Sequence, residues 1–255
     1  MEQWELAARD FIESCPFKNE IECVFLTGSH ATKNADEFSD IDLYIVLNDA
    51  VTWRERGNKR VNGLLVEYFA NPMRQIKKYI DASYDSVSLI EVNMIRNGII
   101  LFDRNAAASE LIAYCEQKTQ SPFPQMSEFS AKMGLYHLWN SFDELQRSDT
   151  RQTPDLPMQF FRFMQDSLEL YSRFIGSPVP TYHHLYRWLT EDAYHKNYGL
   201  ADYKDQEFLN LIKSAFECKN PDAMFDLAKT VYTYVSGNMG GFDIEDFVLH
   251  SPCDC

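Results

Sequence analysis

The run Ser39-Asp40-Ile41-Asp42-Leu43-Tyr44-Ile45-Val46-Leu47 constrains this chain more than any other. Its odd positions Ile41, Leu43, Ile45 and Leu47 are all apolar, the period of two expected of a strand with one buried face. Asp40 and Asp42 therefore project together from the other face at the start of that strand. Two like charges side by side repel unless a cation lies between them. Carboxylate oxygens suit the hard ion Mg²⁺, which also binds phosphates.

The segments on either side supply what such a site needs. Ile21 to Thr27 reads as a buried strand broken by Gly28-Ser29, where glycine lets the backbone bend and lie close to a ligand and serine adds a hydroxyl. If a helix starts in His30 to Lys33, its free amides point at the turn, an arrangement suited to a triphosphate. Gly57 to Gly63 is predicted to be a turn, and Leu64 to Ala70 a third strand closed by Asn71-Pro72. Glu67 is the one acid in Leu64-Leu65-Val66-Glu67-Tyr68-Phe69. Beside Asp40 and Asp42 it makes a third carboxylate, enough to hold two ions ~4 Å apart.

Gly28-Ser29, then Ser39-Asp40-Ile41-Asp42-Leu43, then Glu67 carry a resemblance to the DNA polymerase beta nucleotidyltransferase superfamily. Its members share a glycine-serine turn, a D-x-D or D-x-E opening the next strand, and a third acid on a following strand. The resemblance spans residues 21–103, and Asn97-Gly98-Ile99-Ile100-Leu101-Phe102-Asp103 is similar to the turn and strand that often close this minimal domain. It implies an enzyme that moves a nucleoside monophosphate from a nucleoside triphosphate onto an acceptor hydroxyl. Asp40, Asp42 and Glu67 are then the catalytic residues and ligands of two Mg²⁺ ions, with Gly28, Ser29 and Ser39 at the nucleotide. His30 stands where many relatives have a small residue or arginine.

Helices are expected over Pro72 to Ala82, Ser86 to Arg96 and Ala106 to Lys118, with a short strand at Ile99 to Phe102. Thr119 to Gln125, with Pro122 and Pro124, marks a domain boundary, giving a catalytic domain over 1–120 and a helical domain over 121–255. In the second half Phe129, Met133, Tyr136, Trp139 and Phe142 recur at helical spacing. So do Phe161, Met164, Leu168, Tyr171 and Ile175, then Phe208, Leu211, Ile212 and Ala215, then Met224, Leu227, Ala228, Val231 and Val235. The fold class is α+β, a small mixed sheet followed by an all-helical region. That layout is similar to the nucleotidyltransferases acting on kanamycin, streptomycin or lincosamides.

Net charge is -14, of which residues 121–255 carry 11 - 19 = -8 (Lys+Arg against Asp+Glu). Such a balance argues against nucleic acid as partner and favours a small, cationic, aminoglycoside-like acceptor. An AMP-transferring, antitoxin-like enzyme acting on protein and a non-catalytic nucleotide sensor are the alternatives; the chain is expected to be a monomer or homodimer. No apolar run reaches the ~20 residues a membrane crossing needs and the N-terminus is acidic, so a cytoplasmic protein is expected.

The six cysteines form no C-x-x-C or zinc spacing, and Cys253-x-Cys255 reads as a frayed tail. His183-His184 is predicted at an exposed helix start, and Tyr232 and Tyr234 in the core. Asp166 and Glu169 fit a solvated helical face, or a cleft in which one of them serves as acceptor ligand or general base.

Overall fold

A computed structural model describes residues 2–245 and 247–250, so Cys253 and Cys255 lie outside the described residues. The chain forms two compact units. The first holds the chain up to Phe123 together with the distant segment Glu191–Leu200, and the second holds Pro124–Thr190 and the chain from Ala201 onward. Among the described residues no helix is long and apolar enough to cross a membrane.

In the first unit, strands β1 (Ile21–Thr27), β2 (Ile41–Leu47), β3 (Glu55–Val61), β4 (Leu64–Pro72) and β5 (Ile99–Asp103) form one sheet in the order β3-β4-β2-β1-β5. β2 and β4 run parallel and the other neighbours antiparallel, so the sheet is mixed. Helix α1 (Gln3–Ser14) turns Ala7, Ala8, Phe11 and Ile12 onto one face, against Val24, Leu26, Ile41, Leu43, Ile45 and Leu47. The other face carries Phe25, Tyr44 and Val46 under α3 (Met73–Asp85), α4 (Ile90–Arg96) and α5 (Ala107–Thr119).

Three local expectations are corrected. β2 is buried on both faces, because Tyr44 and Val46 lie under a helical layer as well as the odd positions under α1; only its acidic end is left half-buried. Gly57 to Gly63 is not a turn. Glu55–Val61 is an edge strand paired to β4, and the turn is confined to Asn62 and Gly63, both at positive φ. Charged residues such as Glu55, Arg56, Lys59 and Arg60 suit an edge, where they discourage pairing with another chain. Finally, α4 starts at Ile90 rather than Ser86: Val87 sits at φ 60, and the backbone N–H of Ile90 bonds Ser88 Oγ instead of continuing a helix.

The second unit contains α6 (Glu128–Thr150), α7 (Leu156–Ile175), α8 (Tyr182–Thr190), α10 (Gln206–Ala215) and α11 (Pro221–Asn238). α6, α7 and α11 pack together, with Phe142 stacked on Tyr232 at 4.7 Å. On α6 the most buried residues are Leu135, Leu138 and Leu145, whereas Phe129 is exposed and Met133, Tyr136 and Trp139 half-buried. Its apolar residues are spread over a wide arc among polar ones, so periodicity finds the helix but not its inward stripe. On α7 the spacing holds better: Met164, Leu168 and Tyr171 are buried and Phe161 is exposed.

Leu43, fully buried in the middle of the sheet, gives a direct test of this packing. Leu43→Ala should cost about 2–5 kcal/mol of unfolding free energy in a urea titration, the usual effect of a leucine-sized core cavity. A cost under about 0.5 kcal/mol would contradict the burial of Leu43 against α1.

Candidate active site

The pleat of β2 decides the site. Asp42 lies on the same face as Tyr44 and Val46, two and four residues before them, but at the end of the strand where burial is only partial. The parallel register sets Asp42 directly opposite Glu67 of β4, and Thr27 of β1 flanks Asp42 on the other side. Asp40, Asp42 and Glu67 bring carboxylate oxygens within 4.8 Å of one another. All three are half-buried.

Such crowding has an electrostatic cost. Burial, and then the charges of Asp40 and Glu67, push the Asp42 carboxyl up to about 7 from its ordinary 3.8. A hard cation would remove the repulsion. Three carboxylate donors, Asp42 and Glu67 on strands and Asp40 just before β2, are the ligand chemistry such an ion takes, so the residues present fit a divalent metal.

Gly28 explains its own identity here. Its φ is +64, and a Cβ at this position would lie 1.9 Å from Asp42 Oδ2. Any side chain would displace the carboxylate, so the bare Cα keeps the turn and Asp42 in contact. The helix at this turn, α2, runs Gly28–Ala31, starting two residues before the expected His30. Ser29 is half-buried in it, and its carbonyl accepts from the Asn34 backbone N–H at 2.9 Å. His30 packs on the Trp4 ring with centroids 5.7 Å apart, and burial pushes its imidazole below the ordinary range.

Ser39 is adjacent to the carboxylates in sequence, but its hydroxyl is tied into its own loop, accepting from the Asp36 backbone N–H at 2.9 Å and donating to Asp36 Oδ1 at 3.1 Å. The sequence reading missed Arg56. Its guanidinium lies 2.8 Å from Glu67 Oε1 and stacks over Phe69 at 4.3 Å. Recognising Glu55–Val61 as a strand beside β4 would have revealed it, since Arg56 faces Phe69 in that register, two residues from Glu67.

The remaining candidates lie in the helical unit. His183 and His184 are exposed in the first turn of α8. Tyr234 donates its hydroxyl to Asp205 at 3.0 Å and is half-buried, as is the stacked Tyr232. Glu169 is exposed and Asp166 half-buried; with Glu144, Arg162 and Arg173 they line a groove of about 510 Å³ between α6 and α7, and Asp166 accepts from Ser141 Oγ at 3.0 Å.

The raised Asp42 carboxyl sets a pH dependence. Between pH ~4 and ~7 the folded chain keeps a proton that the unfolded chain has released, so this group lowers stability as pH rises through that window, and the loss is complete above ~7. In chelator, urea unfolding should therefore show Asp42→Asn gaining on the wild type between pH 5 and pH 8, and Mg²⁺ should bind the wild type more tightly over the same rise. An equal difference between the two proteins at both pH values would contradict the assigned crowding.

One family model covers the residues of this site. Residues 10–107 match the family described as polymerase beta, nucleotidyltransferase. Among solved structures the chain is similar to a nucleotidyltransferase-like protein from Exiguobacterium sibiricum, with a TM-score of 0.47 and 14% identity over 91% of this chain and 73% of that one. No curated protein matches. The matched span contains the Gly28 turn, Asp40, Asp42 and Glu67, and the domain over residues 10–107 is a nucleotidyltransferase domain of the polymerase beta superfamily.

Proposed function

We propose that the protein transfers a nucleoside monophosphate, with ATP as the expected donor, to a hydroxyl of a small cationic acceptor in the cytoplasm. The observation that carries the reading is the carboxylate triad closed by Gly28: three oxygen donors within 4.8 Å, against a turn in which any Cβ would strike Asp42. Asp40, Asp42 and Glu67 would hold Mg²⁺, which when bound neutralises charge on a triphosphate.

The chain's own residues account for the rest. Gly28 and Ser29 bring backbone close to the metal ligands, and Ser29 offers a hydroxyl to the phosphates. An acceptor hydroxyl would attack the α-phosphorus, the new O–P bond forming as the bond to the bridging oxygen breaks and pyrophosphate leaves. Glu67 is assigned the proton of that hydroxyl, at Oε2, because Arg56 holds Oε1 at 2.8 Å and fixes the carboxylate's orientation. The -8 balance of residues 121–255 supports a cationic acceptor of the aminoglycoside type.

A mass-spectrometric screen of the four triphosphates with Mg²⁺ against hydroxyl-bearing acceptors tests the reading. An acceptor heavier by one nucleoside monophosphate is expected, and Asp40→Asn or Asp42→Asn should abolish its formation with the fold intact. Glu67→Gln should lower the rate by ~10²–10⁴, the scale of a lost general base. Label appearing only on a co-purifying protein would favour the protein-modifying alternative; triphosphate binding with no pyrophosphate release would favour a sensor.

A further inference from the structure

Helix α9 (Asp192–Tyr198) comes from far along the chain yet folds with the first unit. Two contacts place it. Asn97, at the end of α4, donates from Nδ2 to the Tyr198 carbonyl at 3.5 Å, and Gly199, at φ +75 just past α9, is packed so closely on Asn97 that a Cβ there would lie 2.9 Å from Nδ2. From this seat Asn197 reaches the loop after the Gly28 turn, donating from Nδ2 to Asn34 Oδ1 at 3.3 Å.

Asn34 is the residue that closes that turn. Its backbone N–H donates to the Ser29 carbonyl at 2.9 Å, and its side-chain amide donates to Thr32 Oγ1 at 3.3 Å. Thr32 in turn donates from Oγ1 and from its backbone N–H to the Gly28 carbonyl, each at 3.1 Å. A hydrogen-bonded chain thus runs from Asn197 through Asn34 and Thr32 to the carbonyls of Gly28 and Ser29. The turn needs such support. α2 has one turn of helix, too short to persist by itself, and Lys33 beside it is held at φ 59.

We propose that Asn197 is a positioning residue for triphosphate binding: through Asn34 it holds the Gly28–Asn34 turn in the shape that receives the phosphates. The inference rests on the nucleotide reading above. It concerns the phosphates rather than the base, since every group in the chain leads to the backbone of Gly28 and Ser29. Asn197 is exposed and makes no contact with the carboxylates among the described contacts, so metal affinity should be insensitive to it.

Calorimetric titration of the full chain with MgATP, with Mg²⁺-tripolyphosphate and with Mn²⁺ alone tests this. Asn197→Ala should weaken MgATP and Mg²⁺-tripolyphosphate alike by about three- to tenfold, the effect of one net hydrogen bond, and leave Mn²⁺ binding and the melting temperature as in the wild type. Asn34→Ala should show at least that loss, and adding Asn197→Ala to it should produce no further loss, since the chain is already broken. Wild-type affinity in Asn197→Ala, losses that add in the double variant, or an effect on ATP but not on tripolyphosphate would overturn the inference. A wild type that binds neither triphosphate overturns the nucleotide reading and this inference with it, an outcome separate from a null effect of the variant.

Discussion

The repulsion among Asp40, Asp42 and Glu67 is the interaction on which the rest of the site depends. A strand start is a costly place for clustered carboxylates, and burial raises the Asp42 carboxyl to about 7. The fold nonetheless forces them together, because the alternation of β2 and its parallel register with β4 leave Asp42 and Glu67 no other place. Stability is thereby given up for a cluster whose donors fit a divalent cation.

Around that centre the surrounding features each have a local cause. Gly28 is bare because Asp42 Oδ2 occupies the space of a Cβ. Arg56, on an otherwise solvent-facing edge strand, gives Glu67 a counter-charge at 2.8 Å. The hydrophobic positions of β2 are buried under two helical layers, which fixes the strand so that its acidic end cannot relax away from its neighbours. Rigid elements holding the ligands are what a metal site requires, since loops would let the carboxylates drift apart.

Part of this was legible in the sequence, for a physical reason: side chains alternate along any strand, so Asp40 and Asp42 project to one side, although the apolar odd positions of Ile41 to Leu47 did not disclose that Tyr44 and Val46 are buried as well. The strand at Ile21–Thr27 was legible as an apolar run and Glu67 as the one acid in its segment. What was lost lay where that signal fails. Glu55–Val61 has no apolar alternation because it is an edge, so its strand character, and Arg56 with it, comes from pairing with β4 and not from local preference. The apolar residues of α6 are spread over a wide arc among polar ones, so its inward stripe is chosen by α7 and α11. The placement of Glu191–Leu200 with the sheet unit is a tertiary contact between residues over a hundred positions apart in part, as in Asn197 with Asn34, and no window along the chain contains it.

The most direct test of the carboxylate site is a crystal structure with Mn²⁺ and a non-hydrolysable ATP analogue, using anomalous scattering to locate the ion. The account predicts anomalous density between Asp40, Asp42 and Glu67, with the phosphates against Gly28 and Ser29. A triphosphate bound elsewhere, or bound at this turn with the three carboxylates contacting no ion, would contradict it.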